Sequence, residues 1–229
     1  MPHPLDIQLP VEVAVMTLPD VAFFPQALLP LHIFEPRYKE MLRDVLSSNR
    51  IFAVAGVDRR LALGGSERDP SYRIAGVGIV RACQKAEDGT WNVLLQGLAR
   101  VQIIAIASDQ PYRRIQIRSL TSEAGAAASE NARLRAELSR LLVLKLRLSN
   151  RTRSELTAFL KSIDDPEIFV DIAAFSLCDS PKVKQKLLET LDVHRRFEIF
   201  NRHLRSEIDA LRLRHRLQGN LDDDRICEN

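Results

Sequence analysis

The sequence is short of the residues that most often announce chemistry. Its 3 cysteines, Cys83, Cys178 and Cys227, are an odd number at wide spacing with no C-x-x-C. That pattern supports neither a disulfide framework nor a zinc site, and reduced structural thiols are expected. The 5 histidines, His3, His32, His194, His203 and His215, contain no H-x-x-x-H pair, so a metalloprotease-type ligand set is excluded and no metal is expected. None of the 9 glycines opens a G-x-x-x-x-G-K-[ST] loop, and Gly64-Gly65 runs into Ser66-Glu67. Without a cradle of free N–H groups and its lysine, no nucleotide cofactor is expected. Long apolar runs are missing too. Leu141-Leu142-Val143-Leu144 is stopped by Lys145, far below the ~20 residues that cross a bilayer. The stretch after Met1-Pro2-His3-Pro4 is broken by Asp6, Gln8 and Glu12, so no signal peptide is read; a cytoplasmic location and no membrane partner are the expectations.

What is present reads as a globular chain of two halves. Val11, Val13 and Val15 alternate with Glu12, Ala14 and Met16, the period of a strand with one buried face. Further strands are predicted over Ile51–Val57, Ile74–Cys83, Trp91–Leu95, Val101–Ala107 and Tyr112–Arg118. Asp88-Gly89 between two of them predicts a type I′ hairpin turn, with positive φ at both residues. So many short strands need closure to hide their edges, and a small barrel is the natural solution. Asp58 to Arg73 is a long polar loop with paired glycines, open to a lid reading or a disordered one. Thr121 to Ser129 is rich in small residues and reads as a linker. Helices follow: Leu134, Leu138, Leu141, Leu142, Lys145 and Leu148 mark a long one, and Asp165-Pro166 and Ser180-Pro181 each open another. Val193, Phe197, Phe200, Leu204, Ile208 and Leu211 form one apolar stripe, which packs within a helical bundle or, over Leu204 to Leu217, pairs with a partner helix. The predicted division is a β-rich lobe over residues 1–120, a helical lobe over 121–217 and an acidic tail over 218–229.

The most informative segment is Phe23-Phe24-Pro25-Gln26-Ala27-Leu28-Leu29-Pro30-Leu31-His32-Ile33-Phe34-Glu35-Pro36-Arg37-Tyr38. Pro36 suits the first position of a helix, and Tyr38, Met41, Leu42, Val45 and Leu46 trace one buried face that should end near Asn49 in a left-handed cap. The L-P-L-H-I-F-E-P-R-Y run closely resembles the signature of the Lon substrate-binding domain family. Gly76-Val77-Gly78-Ile79-Val80, the G-x-x-R of Gly97-Leu98-Ala99-Arg100, Pro111-Tyr112, Asp171-Ile172-Ala173-Ala174 and Lys184 to Glu189 fit that family in the same order. The resemblance extends from Leu9 to Arg216 and implies an α+β fold: an N-terminal PUA-like β pseudobarrel with one inserted helix, followed by a C-terminal α-helical bundle.

The same resemblance implies a non-catalytic polypeptide-recognition module, an adaptor in protein quality control. Its expected partners are polypeptide segments or unfolded proteins, a Lon-type protease, or a second copy of the chain. No catalytic residue is assigned: the ATPase and peptidase motifs of Lon proteases are absent, and Asp164-Asp165 reads as the approach to a helix N-terminus, where negative charge is favoured. Two alternatives stay open, an RNA-binding PUA-like protein and a structural oligomerisation protein. Residues 1 to 120 carry 14 basic and 12 acidic side chains, a weak footprint for nucleic acid. The run Arg133, Arg135, Arg140, Lys145, Arg147, Arg151 and Arg153 reads as a solvated helix face. Within the signature Pro30, Leu31, His32, Phe34, Glu35, Pro36, Arg37 and Tyr38 are expected to be structural, with Leu31, Phe34 and Tyr38 in the core and Arg37 in a charge-assisted bond. The candidate partner-binding residues are Leu61, Leu63, Tyr72 and Trp91, apolar groups near glycines that would let a client backbone approach a shallow groove.

Overall fold

The computed structural model describes residues 8–62, 70–149 and 154–218. Six strands, β1 (Glu12–Leu18), β2 (Leu28–Ile33), β3 (Ile51–Gly56), β4 (Ile74–Lys85), β5 (Trp91–Ser108) and β6 (Arg114–Leu120), form one mixed sheet, with α1 (Pro36–Leu46) and the single turn α2 (Arg59–Ala62) between them. The helices α3 (Ala128–Leu148), α4 (Ser154–Lys161), α5 (Pro166–Leu177), α6 (Pro181–Glu189) and α7 (Val193–Gln218) follow. The chain is therefore an α+β protein. It divides into two compact units, one of Met1–Glu123 with Asp171–Leu191, the other of Ala124–Val170 with Asp192–Asn229. The division is interleaved: α6 and the second half of α5 group with the strands, unlike a consecutive split at residue 120.

In the first unit the strand order is β2-β5-β4-β3-β1-β6, and β5 also pairs with β6. That extra pairing closes β5, β4, β3, β1 and β6 into a ring and leaves β2 as the one named strand with a single neighbour. Only β1 and β3 run parallel. The closed ring explains the burial of its strands. All six residues of β3 are buried, and Val13, Ala14, Val15 and Met16 are buried in succession, so β1 is covered on both faces and Val11, just outside it, is exposed.

Several expectations are corrected here. Trp91–Leu95 and Val101–Ala107 are halves of one 18-residue strand, because Gly97 does not interrupt it. A Cβ at Gly97 would lie 2.0 Å from the Phe24 carbonyl oxygen, and one at Gly76 would lie 2.1 Å from that of Phe23. The glycines therefore admit a backbone, as reasoned, but it is the chain's own 23–25 segment crossing the sheet. The β4–β5 hairpin turns at Glu87-Asp88, with Gly89 N–H donating to Ala86 C=O at 3.1 Å and only Gly89 at positive φ. This is a type I turn followed by a left-handed glycine, not type I′. Helix α1 ends at Leu46, and the left-handed residue after it is Arg50, at φ 63°, not Asn49.

The helices predicted from Asp165-Pro166 and Ser180-Pro181 begin at those prolines. Ile168 N–H donates to Asp165 Oδ1 at 2.9 Å, and Val183 N–H to Ser180 Oγ at 3.4 Å. In the second unit the stripe of α7 packs inward: Val193, Phe197, Phe200, Leu204 and Ile208 are buried, while Leu213 and Leu217 are exposed. The basic run of α3 is not uniformly solvated. Lys145 is buried and pairs with Glu207 at 2.9 Å, and Arg135 donates to the Ile163 carbonyl and lies 4.9 Å from the Phe169 ring centroid. The small-residue linker is held where Gly125, at φ 72°, sits against the Asp192 carboxylate. Residues 63–69 of the 58–73 loop, Leu63 among them, Arg151, Arg153 and the tail from Gly219 lie outside the described residues.

Candidate functional site

The signature segment is a strand and a helix start. In β2 the odd positions Leu29, Leu31 and Ile33 turn toward the core side and the even positions Leu28, Pro30 and His32 toward solvent, the period-2 alternation of a half-buried strand. Ile33 is buried and Leu31 is half-buried. Phe34 is 61% exposed, so the expectation that it serves the core is wrong. Ile33 fills that role one residue earlier, on the inward side of the alternation, and Phe34 follows on the outward side. Tyr38 is buried as expected, and its hydroxyl lies 3.3 Å from the Thr17 N–H. Pro36 opens α1 without a side-chain cap at Glu35. Arg37 Nε donates to Glu35 Oε2 at 3.0 Å, and its guanidinium carbon stands 4.5 Å from the Tyr38 ring centroid.

Beside β2, the first turn of β5 and the last turn of β4 complete a three-stranded ribbon, with Pro30 opposite Leu94, His32 opposite Asn92, and Leu94 opposite Ala82. A shallow trough of about 520 Å³ runs over it, lined by Pro30, Leu31, His32, Ala82, Cys83, Gln84, Asn92, Val93 and Leu94. None of these is Asp, Glu, Lys or Arg. Leu28, 52% exposed, and Phe34 extend the apolar surface at the two ends of β2. His32 Nδ1 is 2.9 Å from Asn92 Oδ1, which fixes the imidazole along the trough. Burial pushes the Cys83 thiol above its ordinary value, with Arg50 opposing. At the neighbouring hairpin, hydrogen bonds from the Thr90 hydroxyl and N–H hold the Asp88 carboxyl below its usual range.

The residues expected to rim one groove are not brought together. Trp91 stands opposite Ile33 and Lys85 at the hairpin end of the ribbon, with Lys85 Nζ 5.9 Å from its ring centroid. Tyr72 precedes the other end of β4, roughly 36 Å of strand contour away. It lines a separate cleft of about 670 Å³ with Asp20, Val21, Gly56, Val57, Asp58, Arg59 and the exposed side of α6. Charges of both signs meet there: Arg59 pairs with Asp20 at 2.6 Å, and Gln185 Nε2 donates to Ile74 C=O at 3.1 Å and to Glu189 Oε1 at 3.0 Å. Leu61 is exposed on α2 and is not among the residues lining that cleft. Leu63 lies outside the described residues. What sequence reasoning missed is the outward set Leu28, Pro30 and His32. The signal was available as the alternation in Leu-Leu-Pro-Leu-His-Ile, hidden because every member but one is apolar.

A second missed element supports the ribbon's scaffold. Arg100 of the G-x-x-R strand, 2% exposed, forms a two-pronged pair with Asp171, 1% exposed, at 2.8 and 2.5 Å, and its Nε donates to Leu188 C=O at 3.2 Å. Through these bonds the strand holds the second half of α5, and α6, within the first unit. Among the described residues no group of three or more His, Cys, Asp or Glu side chains is placed to hold a metal ion, and no helix is long and apolar enough to cross a membrane.

Residues 12–206 match the family described as the ATP-dependent protease La (LON) substrate-binding domain. The chain is 26% identical over 220 residues to the Lon protease of Desulfosudis oleivorans, covering 95% of this chain and 26% of that protein. It thus spans about a quarter of the length of that relative. Among solved structures, the N-terminal domain of Mycobacterium avium complex Lon protease aligns with a TM-score of 0.64 at 20% identity, covering 82% of this chain and 95% of that one. The Lon N-terminal domain protein from Xanthomonas campestris aligns with a TM-score of 0.59 at 18% identity, again covering 82% of this chain and 95% of that one. The fold is that of these Lon N-terminal domains, and with a family match across most of its length the chain belongs to the Lon substrate-binding domain family.

Proposed function

We propose that this chain recognises polypeptide without catalysing any reaction, and that it acts as an adaptor presenting unfolded or apolar segments to a Lon-type protease. The observation that carries the reading is the trough over β2, β5 and β4, whose lining holds no charged side chain and which is flanked by exposed Leu28 and Phe34. An apolar, uncharged concavity favours neutral polypeptide, since burial of apolar surface is its main source of affinity. Nucleic acid is disfavoured at the same place, because phosphate binding draws on Lys and Arg. The basic helix α3 supports an RNA reading less than its composition does, as Arg135 and Lys145 are engaged inside the helical unit. The candidates Leu61, Tyr72 and Trp91 lie off this surface and are not part of the proposed contact.

The test is fluorescence anisotropy of a labelled, denatured client with the wild-type chain and with Leu28→Ser and Phe34→Ser, at low and high salt. Both side chains are exposed, so both variants should keep the wild-type melting behaviour. Each should bind several-fold more weakly, and wild-type affinity should hold as salt rises. Unchanged affinity in both folded variants, or a steep loss of wild-type binding with salt, would overturn the reading.

A further inference from the structure

We propose that the client adds to the sheet as a further strand along the free edge of β2, so that main-chain hydrogen bonds and not side chains alone hold it. This rests on the polypeptide-recognition reading above and specifies its binding mode.

The edge can be read group by group. Gly97 N–H donates to Ala27 C=O at 2.8 Å, and Leu28 stands opposite Gln96. In an antiparallel pair, bonded and non-bonded residues alternate. Leu29, Leu31 and Ile33 therefore point their N–H and C=O groups at β5, while Leu28, Pro30 and His32 point theirs away from it. Pro30 occupies an outward position, the only kind in an edge strand where its missing N–H breaks no rung. Because β2 has no second neighbour among the described strands, the outward edge offers the N–H of Leu28 and His32 and the C=O of Leu28, Pro30 and His32.

Such an edge is a template for one more strand. The side chains that accompany those outward groups lie on the exposed face, over the uncharged trough. An added chain would thus bond through alternate residues and lay the side chains of those same residues beside Leu28, Pro30 and His32. At Pro30 it finds an acceptor and no donor. The occupant that fits is an extended, uncharged segment with small or apolar residues at alternate positions.

The probe is a fluorescein-labelled octapeptide of alternating Val and Thr, bound to the full chain, with single backbone N-methyl groups walked along it. N-methylation at alternate positions should weaken binding about tenfold, the worth of one lost main-chain hydrogen bond at the upper end of its range. The intervening positions should bind as the parent does. In the protein, His32→Pro removes an outward N–H without touching the β5 ladder, and the extended Leu31 tolerates a following proline. It should melt as wild type and bind about tenfold more weakly than His32→Ala, which lacks the same imidazole but keeps the N–H. Retained affinity with no alternation in the N-methyl series would overturn strand addition and leave polypeptide recognition standing. Failure of the parent peptide and of every denatured client to bind would overturn the recognition reading itself. A wild-type dimer that His32→Pro dissociates would assign the edge to a second copy of the chain and overturn a client there.

Discussion

At the scale of single residues, the buried Arg100–Asp171 pair shows how a charge can read as surface in the sequence and sit in the interior. The two lie 71 positions apart, and nothing in their neighbours marks them as partners beyond the resemblance that quoted both. Desolvating two charges is costly and their attraction offsets much of that cost, so breaking the pair is far worse than replacing it. Asp171→Asn should lower unfolding free energy by about 3–5 kcal/mol in urea. Arg100→Met combined with Asp171→Leu should lose less than that single change, and equal or greater loss in the double variant would show that the charges themselves are required. Glu207 makes a pH-dependent counterpart. Burial raises its pKa, but the close contacts of His203 at 3.2 Å and Lys145 at 2.9 Å outweigh burial and hold the carboxyl below its ordinary value. A carboxyl lowered on folding stabilises the fold above its ordinary pKa, and that contribution is lost as pH falls through the folded value. Glu207→Gln should therefore melt below wild type at neutral pH, with the gap closing on acidification past 4.5. A gap constant from pH 7 to pH 3 would mean that packing, not ionisation, is what the carboxylate supplies.

At the scale of elements, the regular periods were legible and the interrupted ones were not. Helix α1 buries Tyr38, Met41, Leu42 and Val45, the face its spacing predicted, and the Pro-initiated α5 and α6 begin at their marked prolines. Strand β2 went unread because Pro30 argues against a strand in general, although an outward edge position removes the objection. Strand β5 was read as two because Gly97 suggests a break, whereas the glycine is there for the Phe24 carbonyl. Of the glycines beside the candidate groove residues, Gly76 is already met by the Phe23 carbonyl, and Gly89 faces open space at the hairpin. The position of Phe34 gives the element-scale prediction. Lying beyond the end of β2 and exposed, its replacement by Ala should change stability by no more than about 0.5 kcal/mol, as for other surface sites. Phe197→Ala, by contrast, empties a fully buried position on α7 that stacks against Phe169 at 6.4 Å and should cost about 3–5 kcal/mol. Equal losses for the two in a urea titration would contradict the burial that separates them.

At the scale of the whole molecule, the order of the chain and the order of its packing differ. The strands as far as Glu123 and the segment Asp171–Leu191 belong to one unit, although 47 residues of the other unit lie between them in sequence. Sequence composition marks a change at the small-residue stretch after Thr121, and a reader of composition divides the chain there. Composition has no means of recording that α6 comes back, because the bonds that bring it back join single groups. These are Arg100 to Asp171 and Leu188, Gln185 Nε2 to the Ile74 carbonyl, and Glu123 N–H to the Leu191 carbonyl at 3.0 Å. A fragment of residues 1–123 retains every strand and the trough, yet it leaves the Arg100 guanidinium without its carboxylate in a site built to exclude water. That fragment should be unfolded or aggregated in circular dichroism, and the single tryptophan, Trp91, should show solvent-exposed emission. Adding the peptide 171–191 should restore a cooperative melt and blue-shift the Trp91 emission, saturating with peptide. The same peptide carrying Asp171→Asn should restore it only at higher concentration, since it brings back the packing of α6 but not the charge that Arg100 needs. A 1–123 fragment that melts cooperatively alone, at the temperature of the intact chain, would mean that the strands close without the returning segment and that the 171–191 peptide merely covers them.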